Sequence, residues 1–562
     1  MEYSSHNKKF IIKNGVEPIT KNVRLTGGKF KEVFDNNIAF LKKFDIDRMM
    51  YWFRVSAGKP ATGAPYAFAD GHFENNLFGQ TAAMFLMSAS TALLWQEDAQ
   101  LRQTVNKIVD ELEEFIFDDG CLLPVEKEER FTLEYPNYVR AWLTFGLLAA
   151  GYAGNEKAFE LARKFGDWFN NSPELPTVKD MNLGFQGILA NTELYVSPVG
   201  NKEDLDVAQK FYREDWWLEL LKKKDHNAIC RHPNHPHGTV LTAVEGYFDI
   251  YRVTGEQSLL QCVKNTLEMI EDKWLHVGGG VVMCEQENDP HYPGCNYLKR
   301  SNSYNELCCI TFWILLNQRM SLIEEGNAHY YDKIEESIYN MLFGAQVGSL
   351  GYHYLGFLEG SKDTRYVDIT TCCAATGSRL VSMLPQFLYS YNDNSLYINM
   401  YADSVVQIDG NDIEVKTDMP YGGKVKVKVN SWNKKTLNLR IPSWCVSPVT
   451  VCGKTANPGE YLTLDNITEK TDFEFELPFG LRFKLYEGAD IIPNKERYAF
   501  SYGPLLLAAL RNKNVSIKCN PKSATLKKTT NGRFILDNNK IEFMPYMDIK
   551  DEPFIVYPVV EQ

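Results

Sequence analysis

The stretch Gly154-Asn-Glu-Lys-Ala-Phe-Glu-Leu-Ala-Arg-Lys164 decides the fold, because the chain repeats it. Gly200-Asn-Lys-Glu-Asp-Leu-Asp-Val-Ala-Gln-Lys210 restates it 46 residues later, and Gly255-Glu-Gln-Ser-Leu-Leu-Gln-Cys-Val-Lys264 follows the same scheme after another 55. Each copy has a helix-forming run before it, a glycine stop, and a second such run after it. Glycine accepts the left-handed backbone that ends a helix. Periods of this size imply stacked helical hairpins, since one hairpin cannot bury its own apolar face. Working outward, apolar positions recur at three- and four-residue spacing through Ala82–Trp95, Leu101–Phe117, Tyr138–Tyr152, Val240–Val253, Leu259–Ile270 and Ile310–Ile323. The inserts between hairpins are long and rich in His, Pro and Trp. Such inserts favour a closed (α/α) toroid with a central pocket over an open solenoid.

After Tyr391 the period changes to two. Leu396–Tyr401, Lys424–Asn430, Thr436–Ile441 and Asp472–Leu477 alternate apolar and polar residues, separated by turn chemistry such as Tyr421-Gly-Gly423 and Asn457-Pro-Gly459. Alternation marks strands with one buried and one wet face, so this half reads as a β-sandwich. Asn392-Asp-Asn-Ser395 reads as a linker, and a second small β-unit as beginning near Ala489. The expected division is therefore 1–391, 392–488 and 489–562.

The net charge of −12 argues against a nucleic-acid partner, which needs a basic face. No apolar run is long enough to span a bilayer, and no secretory h-region follows the first lysines, which leads us to expect a cytoplasmic protein. A homodimer is compatible with such a chain. Twelve cysteines in 562 residues are too sparse for a disulfide scaffold. In a reducing compartment they are free thiols or metal ligands.

Two cysteine clusters stand out. Tyr304-Asn-Glu-Leu-Cys-Cys309 offers Glu306 and Cys308, and Ile369-Thr-Thr-Cys-Cys-Ala-Ala-Thr-Gly377 offers Cys372 and Cys373. One carboxylate and three thiols suffice for a four-coordinate zinc site, and zinc keeps thiolates ionised at neutral pH. Residues two apart diverge on a regular helix, so Glu306 and Cys308 must lie at a helix N-terminus or on an extended lead-in. Adjacent Cys372 and Cys373 call for a non-helical turn, which Thr370-Thr371 can supply. The plainer alternative is two Cys-Cys pairs packed in a core. A rival ligand cluster, Cys230-Arg-His232-Pro-Asn-His235-Pro-His237, is stiffened by prolines, and reads better as a loop with one or two histidines facing the pocket. Acid/base candidates follow the glycine turn Gly278-Gly-Gly280: Glu285, Glu287 and Asp289. No P-loop, dinucleotide fingerprint, HExxH or GxSxG is present.

In order along the chain, the motifs resemble glycoside hydrolase family 127, the β-L-arabinofuranosidases. The resemblance is carried by Phe44-Asp-Ile-Asp-Arg-Met-Met50 with Ala57-Gly58, Gly146-Leu-Leu148 with Gly154-Asn155, and His237-Gly-Thr-Val-Leu-Thr-Ala-Val-Glu-Gly246 with Tyr251-Arg-Val-Thr-Gly255. Glu306-Leu-Cys308, Cys372-Cys373, Leu439-Arg-Ile-Pro-Ser-Trp444 and Tyr502-Gly-Pro504 complete it. It implies an (α/α)6 barrel followed by C-terminal β-sandwich units, with zinc on Glu306, Cys308, Cys372 and Cys373. It further implies a retaining exo-glycosidase, with Cys372 as nucleophile and a glutamate of the Gly-Gly loop as acid/base. Position selects Glu285, with Glu287 as the alternative. His237, Gln80, Gln186 and Tyr304 are the candidate substrate-binding residues, and the expected partner is an oligosaccharide or glycoside. Gln80, Arg140, Trp142 and Ala374-Ala375 depart from the family pattern and fall at expected pocket walls. These departures make a related pectic furanosyl sugar a candidate substrate beside arabinose. A non-catalytic sugar-binding protein with a structural zinc is the third reading.

Overall fold

The computed structural model describes residues 9–66, 78–131, 134–175, 181–210, 217–230, 239–281, 304–364, 367, 371–488, 492–511, 516–529, 532–537 and 539–561. Among them, twelve helices alternate between an outer and an inner layer. The outer helices are α1 (Gly28–Leu41), α3 (Ala99–Phe115), α5 (Glu156–Asn171), α7 (Lys202–Lys210), α9 (Gln257–Met269) and α11 (Ala328–Ser337). The inner helices are α2 (Gln80–Leu93), α4 (Glu134–Tyr152), α6 (Met181–Val196), α8 (Thr239–Thr254), α10 (Leu307–Ile323) and α12 (Cys372–Ser382). Each inner helix packs on the next, and α12 packs back on α2, so the ring closes as an (α/α)6 barrel.

The two layers follow from composition. Helix α3 buries Leu101, Val105, Ile108, Val109 and Leu112, a single stripe for a helix with one wet face. Helix α10 is buried on every side from Leu307 to Leu322, as a helix flanked by neighbours and facing an axis must be. The repeat supplies the hinges. Gly154 adopts φ 100 and ends α4, and the Asn155 side chain then caps α5 by accepting from the Ala158 N–H at 3.2 Å. Gly200 serves differently: a Cβ there would meet the Leu194 and Tyr195 carbonyl oxygens at 2.1 Å, so glycine is kept for close backbone approach.

Deep in the barrel, four inner helices are tied by charge. Arg319 on α10 reaches Glu245 and Asp249 on α8, with 3.1 Å to Asp249 Oδ2, and Glu193 on α6 at 3.6 Å. Arg379 on α12 adds a second positive charge to this group. Burial pushes the Glu245 carboxyl up to about 8, against the pull of both guanidiniums.

Two five-stranded sheets follow the barrel and share its continuous core. One runs Glu17–Pro18, Tyr389–Tyr391, Ser395–Ile398, Thr436–Ile441, Glu460–Leu464; the other runs Asp472–Glu476, Lys424–Ser431, Asn411–Thr417, Ser404–Ile408, Val23–Leu25. In the second sheet Val425, Val427 and Val429 point to the core, while Lys424, Lys426 and Lys428 stand opposite Glu476, Glu474 and Asp472. Cross-strand pairs of opposite charge of this kind add a few tenths to about 1 kcal/mol each. Asn392–Ser395, expected as a linker, is a hairpin turn joining two strands of one sheet, closed by the Asn392 side chain on the Ser395 N–H at 2.9 Å. Two short N-terminal strands, which the sequence did not signal, add one strand to each sheet. A further sheet is built mainly from strands after Leu481. No helix among the described residues is long and apolar enough to cross a membrane.

Arg440 fastens sheet to barrel. It is 0% exposed, donates to Asn399 O, and pairs with Asp332 and Glu335 on α11, at 2.7 Å for Glu335. The Trp444 indole N–H also donates to Glu335, at 2.7 Å. Removing a cation from such a site leaves buried carboxylates uncompensated. Arg440→Ala is therefore expected to lower stability by about 3–5 kcal/mol, read by denaturant unfolding; a change within experimental error would show that the pair is dispensable. Glu245 yields a pH signature. A carboxyl whose folded pKa lies above its unfolded value of about 4.3 loses stability as pH rises between the two. Glu245→Gln should thus flatten the decline of the thermal midpoint between about pH 5 and 8, and a slope equal to the parent's refutes this assignment.

Candidate active site and metal centre

All inner helices run the same way, because each outer helix returns the chain, so their N-termini share one end of the barrel. Glu306 lies on the two-residue strand Asn305–Glu306, which pairs with Leu355–Gly356, and its extended backbone (φ −100, ψ 136) leads directly into α10. Cys308 occupies the first turn of that helix. The strand-to-helix joint is what lets two side chains two residues apart aim at one point, as the spacing required.

Cys372 and Cys373 differ from expectation. They are the first two residues of α12 rather than part of a non-helical turn. Thr371 is the N-cap, its hydroxyl accepting from the Ala374 N–H at 3.0 Å. With no helical turn ahead of them, both sulfurs can bend over the open end of the helix. Each cysteine pair thus sits where a helix presents unpaired N–H groups and partial positive charge.

The ring brings α10 and α12 side by side, and the four groups meet. One ligand atom from each of Glu306, Cys308, Cys372 and Cys373 lies within 4.8 Å of all the others. Cys373 Sγ is 3.3 Å from Cys308 Sγ and 3.4 Å from Glu306 Oε1. A tetrahedral zinc with bonds of the usual length has edges of about 3.8 Å between sulfurs and about 3.6 Å from sulfur to oxygen. The donor set therefore fits such an ion with only small adjustments. Burial pushes the Cys308 and Cys373 thiols well above their ordinary value, so a cation is the natural means of ionising them. Cys372 is the half-buried member; the other three are buried.

Neighbours complete the shell. The Tyr354 hydroxyl is 3.5 Å from Cys372 Sγ, the Thr376 hydroxyl 3.3 Å from Cys308 Sγ, and the Cys309 thiol 3.7 Å from Glu306 Oε2. Tyr354 carried no sequence signal. Thr376 lies four residues after Cys372 and would have been found had Cys372 been read as a helix start. One turn below Cys308, Phe312 of α10 stacks on Trp142 of α4 at 6.3 Å, from opposite sides of the ring, and the pair fills the axis at that level.

The remaining sequence candidates divide. Gln80 is the first residue of α2 and is buried; its amide nitrogen lies 3.3 Å from Met84 Sδ, and its oxygen has no hydrogen-bond partner among the described residues. Tyr304 is buried two residues ahead of Glu306. Gln186 lies on α6, but its side chain is outside the described residues. His237, Glu285, Glu287 and Asp289 also lie outside them, as do His232 and His235. Arg140, expected at a pocket wall, turns toward the outer layer among the described residues, donating to Asn137 and Asn191 and stacking 3.7 Å over Phe169 of α5, while its second Nη has no hydrogen-bond partner among them.

Residues 22–386 match the family described as β-L-arabinofuranosidase, GH127 catalytic domain, and residues 395–479 match the GH127 middle domain. The chain belongs to glycoside hydrolase family 127. It is an enzyme of the glycosidase class. Its fold is similar to that of a solved GH127 β-arabinofuranosidase at TM-score 0.74 and 18% identity, covering 98% of each chain. A GH127 β-L-arabinofuranosidase from Geobacillus stearothermophilus T6 superposes at TM-score 0.73 and 17% identity, over 96% of this chain and 100% of that one. A third structure, described only as a glycoside hydrolase, gives 0.71 and 17%, covering 99% of each chain. No curated protein matches the sequence.

The cap on α12 is open to a direct test. Thr371→Ala removes the acceptor for the Ala374 N–H and should lower stability by about 1 kcal/mol, measured by thermal unfolding; a loss no larger than that of an exposed surface alanine would show that the cap does not hold the cysteine turn.

Proposed function

We propose that this family member is an exo-acting retaining glycosidase that releases a terminal β-L-arabinofuranose, or a related furanosyl unit of pectic polysaccharide, with Cys372 as nucleophile. The observation that carries this reading is the convergence of one carboxylate and three thiols at the starts of α10 and α12, with Cys372 the one thiol left half-exposed. Glu306, Cys308, Cys372 and Cys373 are the residues that would hold zinc. Bound there, zinc would keep the sulfurs ionised and lower the basicity of Cys372, so that it can depart as well as attack.

The chain's own groups then perform a double displacement. Cys372 Sγ attacks the anomeric carbon, a C–S bond forms, and the glycosidic C–O bond breaks. The departing oxygen takes its proton from Glu285, with Glu287 as the alternative acid. In the second half the same carboxylate removes a proton from water, the water oxygen bonds to the anomeric carbon, and the sulfur leaves. Tyr354, 3.5 Å from the sulfur, can orient Cys372 in both steps. Gln80, Gln186, His237 and Tyr304 are the residues we assign to sugar hydroxyls. The unpartnered buried Gln80 oxygen supports its assignment, since a hydroxyl would satisfy it.

On this reading residues 1–391 carry the chemistry, while 392–488 and 489–562 brace it. On the same reading the enzyme acts in the cytoplasm on an oligosaccharide or glycoside, and homodimer formation is compatible with its function.

Metal analysis of the purified chain should find about one zinc per molecule, and Glu306→Ala should reduce it sharply. Cys372→Ser should lose about 10³-fold or more in kcat/KM on an aryl β-L-arabinofuranoside with its circular dichroism intact. Peptide mass spectrometry of the parent should trap a pentose on Cys372. Full turnover by Cys372→Ser would end the proposal.

A further inference from the structure

Outside the sulfur cluster, the described residues form a cleft of about 760 Å³ on the same end of the barrel as the inner-helix N-termini. Its walls are the turn after α3 (residues 116–120), the segment 127–131 that leads into α4, and the last turn of α5 with the residues beyond it. The volume falls in the range of small-ligand sites. Phe117 and Phe131 give it half-buried aromatic surface, and Asp167 and Asn171 place a carboxylate and an amide on one rim.

Arg130 is the unusual wall residue. It is only 6% exposed, pairs with Asp119 at 2.7 Å, and lies 4.8 Å over the Phe117 ring and 5.8 Å over that of Trp168. Its Nε–H is buried with no hydrogen-bond partner among the described residues. That nitrogen lies beneath the wall, so what Arg130 offers the cleft is the guanidinium edge beside Asp119 and a rigid backing for the Phe117 ring. Four acidic and three basic side chains line the cleft, so its charge nearly balances. That balance disfavours an anionic chain such as an oligouronide. Aromatic surface flanked by amide, carboxylate and guanidinium suits a neutral polyhydroxylated ligand.

We propose that this cleft is a second carbohydrate site, which holds a neutral part of the oligosaccharide while its terminal sugar occupies the barrel. It rests on the reading of the chain as an exo-acting furanosidase. The placement supports it: Phe131 precedes the start of α4 by three residues, and α4 forms part of the inner ring. The cleft lies about one helix layer, roughly 10 Å, outside α4, and α4 stands across the ring from α10, so only a longer oligosaccharide that also crosses the barrel mouth would join the two sites. Ligands in the two sites would share one chain.

The test uses the full-length enzyme. Asn171 is exposed at the end of α5, so Asn171→Trp fills the cleft without entering the core. Neutral arabinofuranosyl di- to hexasaccharides are titrated calorimetrically against parent and variant, with unfolding midpoints confirming equal folding. We expect binding of the longer oligomers to weaken at least fivefold in the variant, KM for them to rise by a similar factor, and kcat/KM for an aryl furanoside to stay unchanged. Arg130→Lys, which keeps charge but removes the planar donor array, should show the same selective loss. Equal oligomer binding by parent and Asn171→Trp, or preference for oligogalacturonides over the neutral series, overturns the proposal. Failure to cleave any aryl furanoside would instead strike at the activity assigned to Cys372, while the titration still decides whether the cleft binds sugar.

Discussion

Closure of the inner ring is the constraint on which the site depends. Glu306 and Cys308 are separated from Cys372 and Cys373 by an outer helix and a long connection, and nothing local draws them together. They meet because α12 must pack on both α10 and α2 to complete the ring, and because all inner helices start at one end. The same geometry aims the positive ends of α10 and α12 at the cluster. Were the hairpins stacked as an open solenoid, α10 and α12 would still be neighbours, but the axis would lack the opposing wall from which Trp142 reaches Phe312.

The β half is more than an appendage. The strand bearing Glu306 pairs with Leu355–Gly356, and three residues on, Glu359–Gly360 pairs with Phe554–Ile555 of the C-terminal sheet. Two short pairings therefore lie between the carboxylate's backbone and the last strands of the protein. Lys362 reinforces this seam from inside. Its buried ammonium donates to Gly344 O at 2.6 Å and lies 4.0 Å over the Tyr546 ring, and burial lowers it to about 7. Arg440 does the equivalent at the other contact between sheet and barrel.

What the sequence made legible was what depends on periodicity or on local donor sets. The repeat at Gly154, Gly200 and Gly255 announced the hairpins, and Lys424–Asn430 announced a half-wet strand that the structure extends by one residue. The four metal-site candidates were readable because each pair is compact in sequence. Features set by long-range packing were not readable. Glu17–Pro18 is a strand only because Tyr389–Tyr391 offers it an edge, and Asn392–Ser395 looked like a linker because turn chemistry is the same within a sheet as between units. Arg140 lies near the inner-helix starts in sequence but turns outward, toward the Asn191 amide oxygen and the Phe169 ring, a direction that packing sets and spacing does not encode. Tyr354 owes its place beside Cys372 to the pairing of the neighbouring strand, which no spacing rule encodes.

The two N-terminal strands also set a schedule. Glu17 pairs with Tyr391, and Val23 with Val406, so each strand waits for a partner made more than 370 residues later. At ordinary translation rates that is a wait of roughly 20–80 s after the strands emerge. The helical hairpins of the barrel, whose contacts are local, can pack during that interval. These two strands are therefore the last pieces of the N-terminal region to find their hydrogen-bond partners.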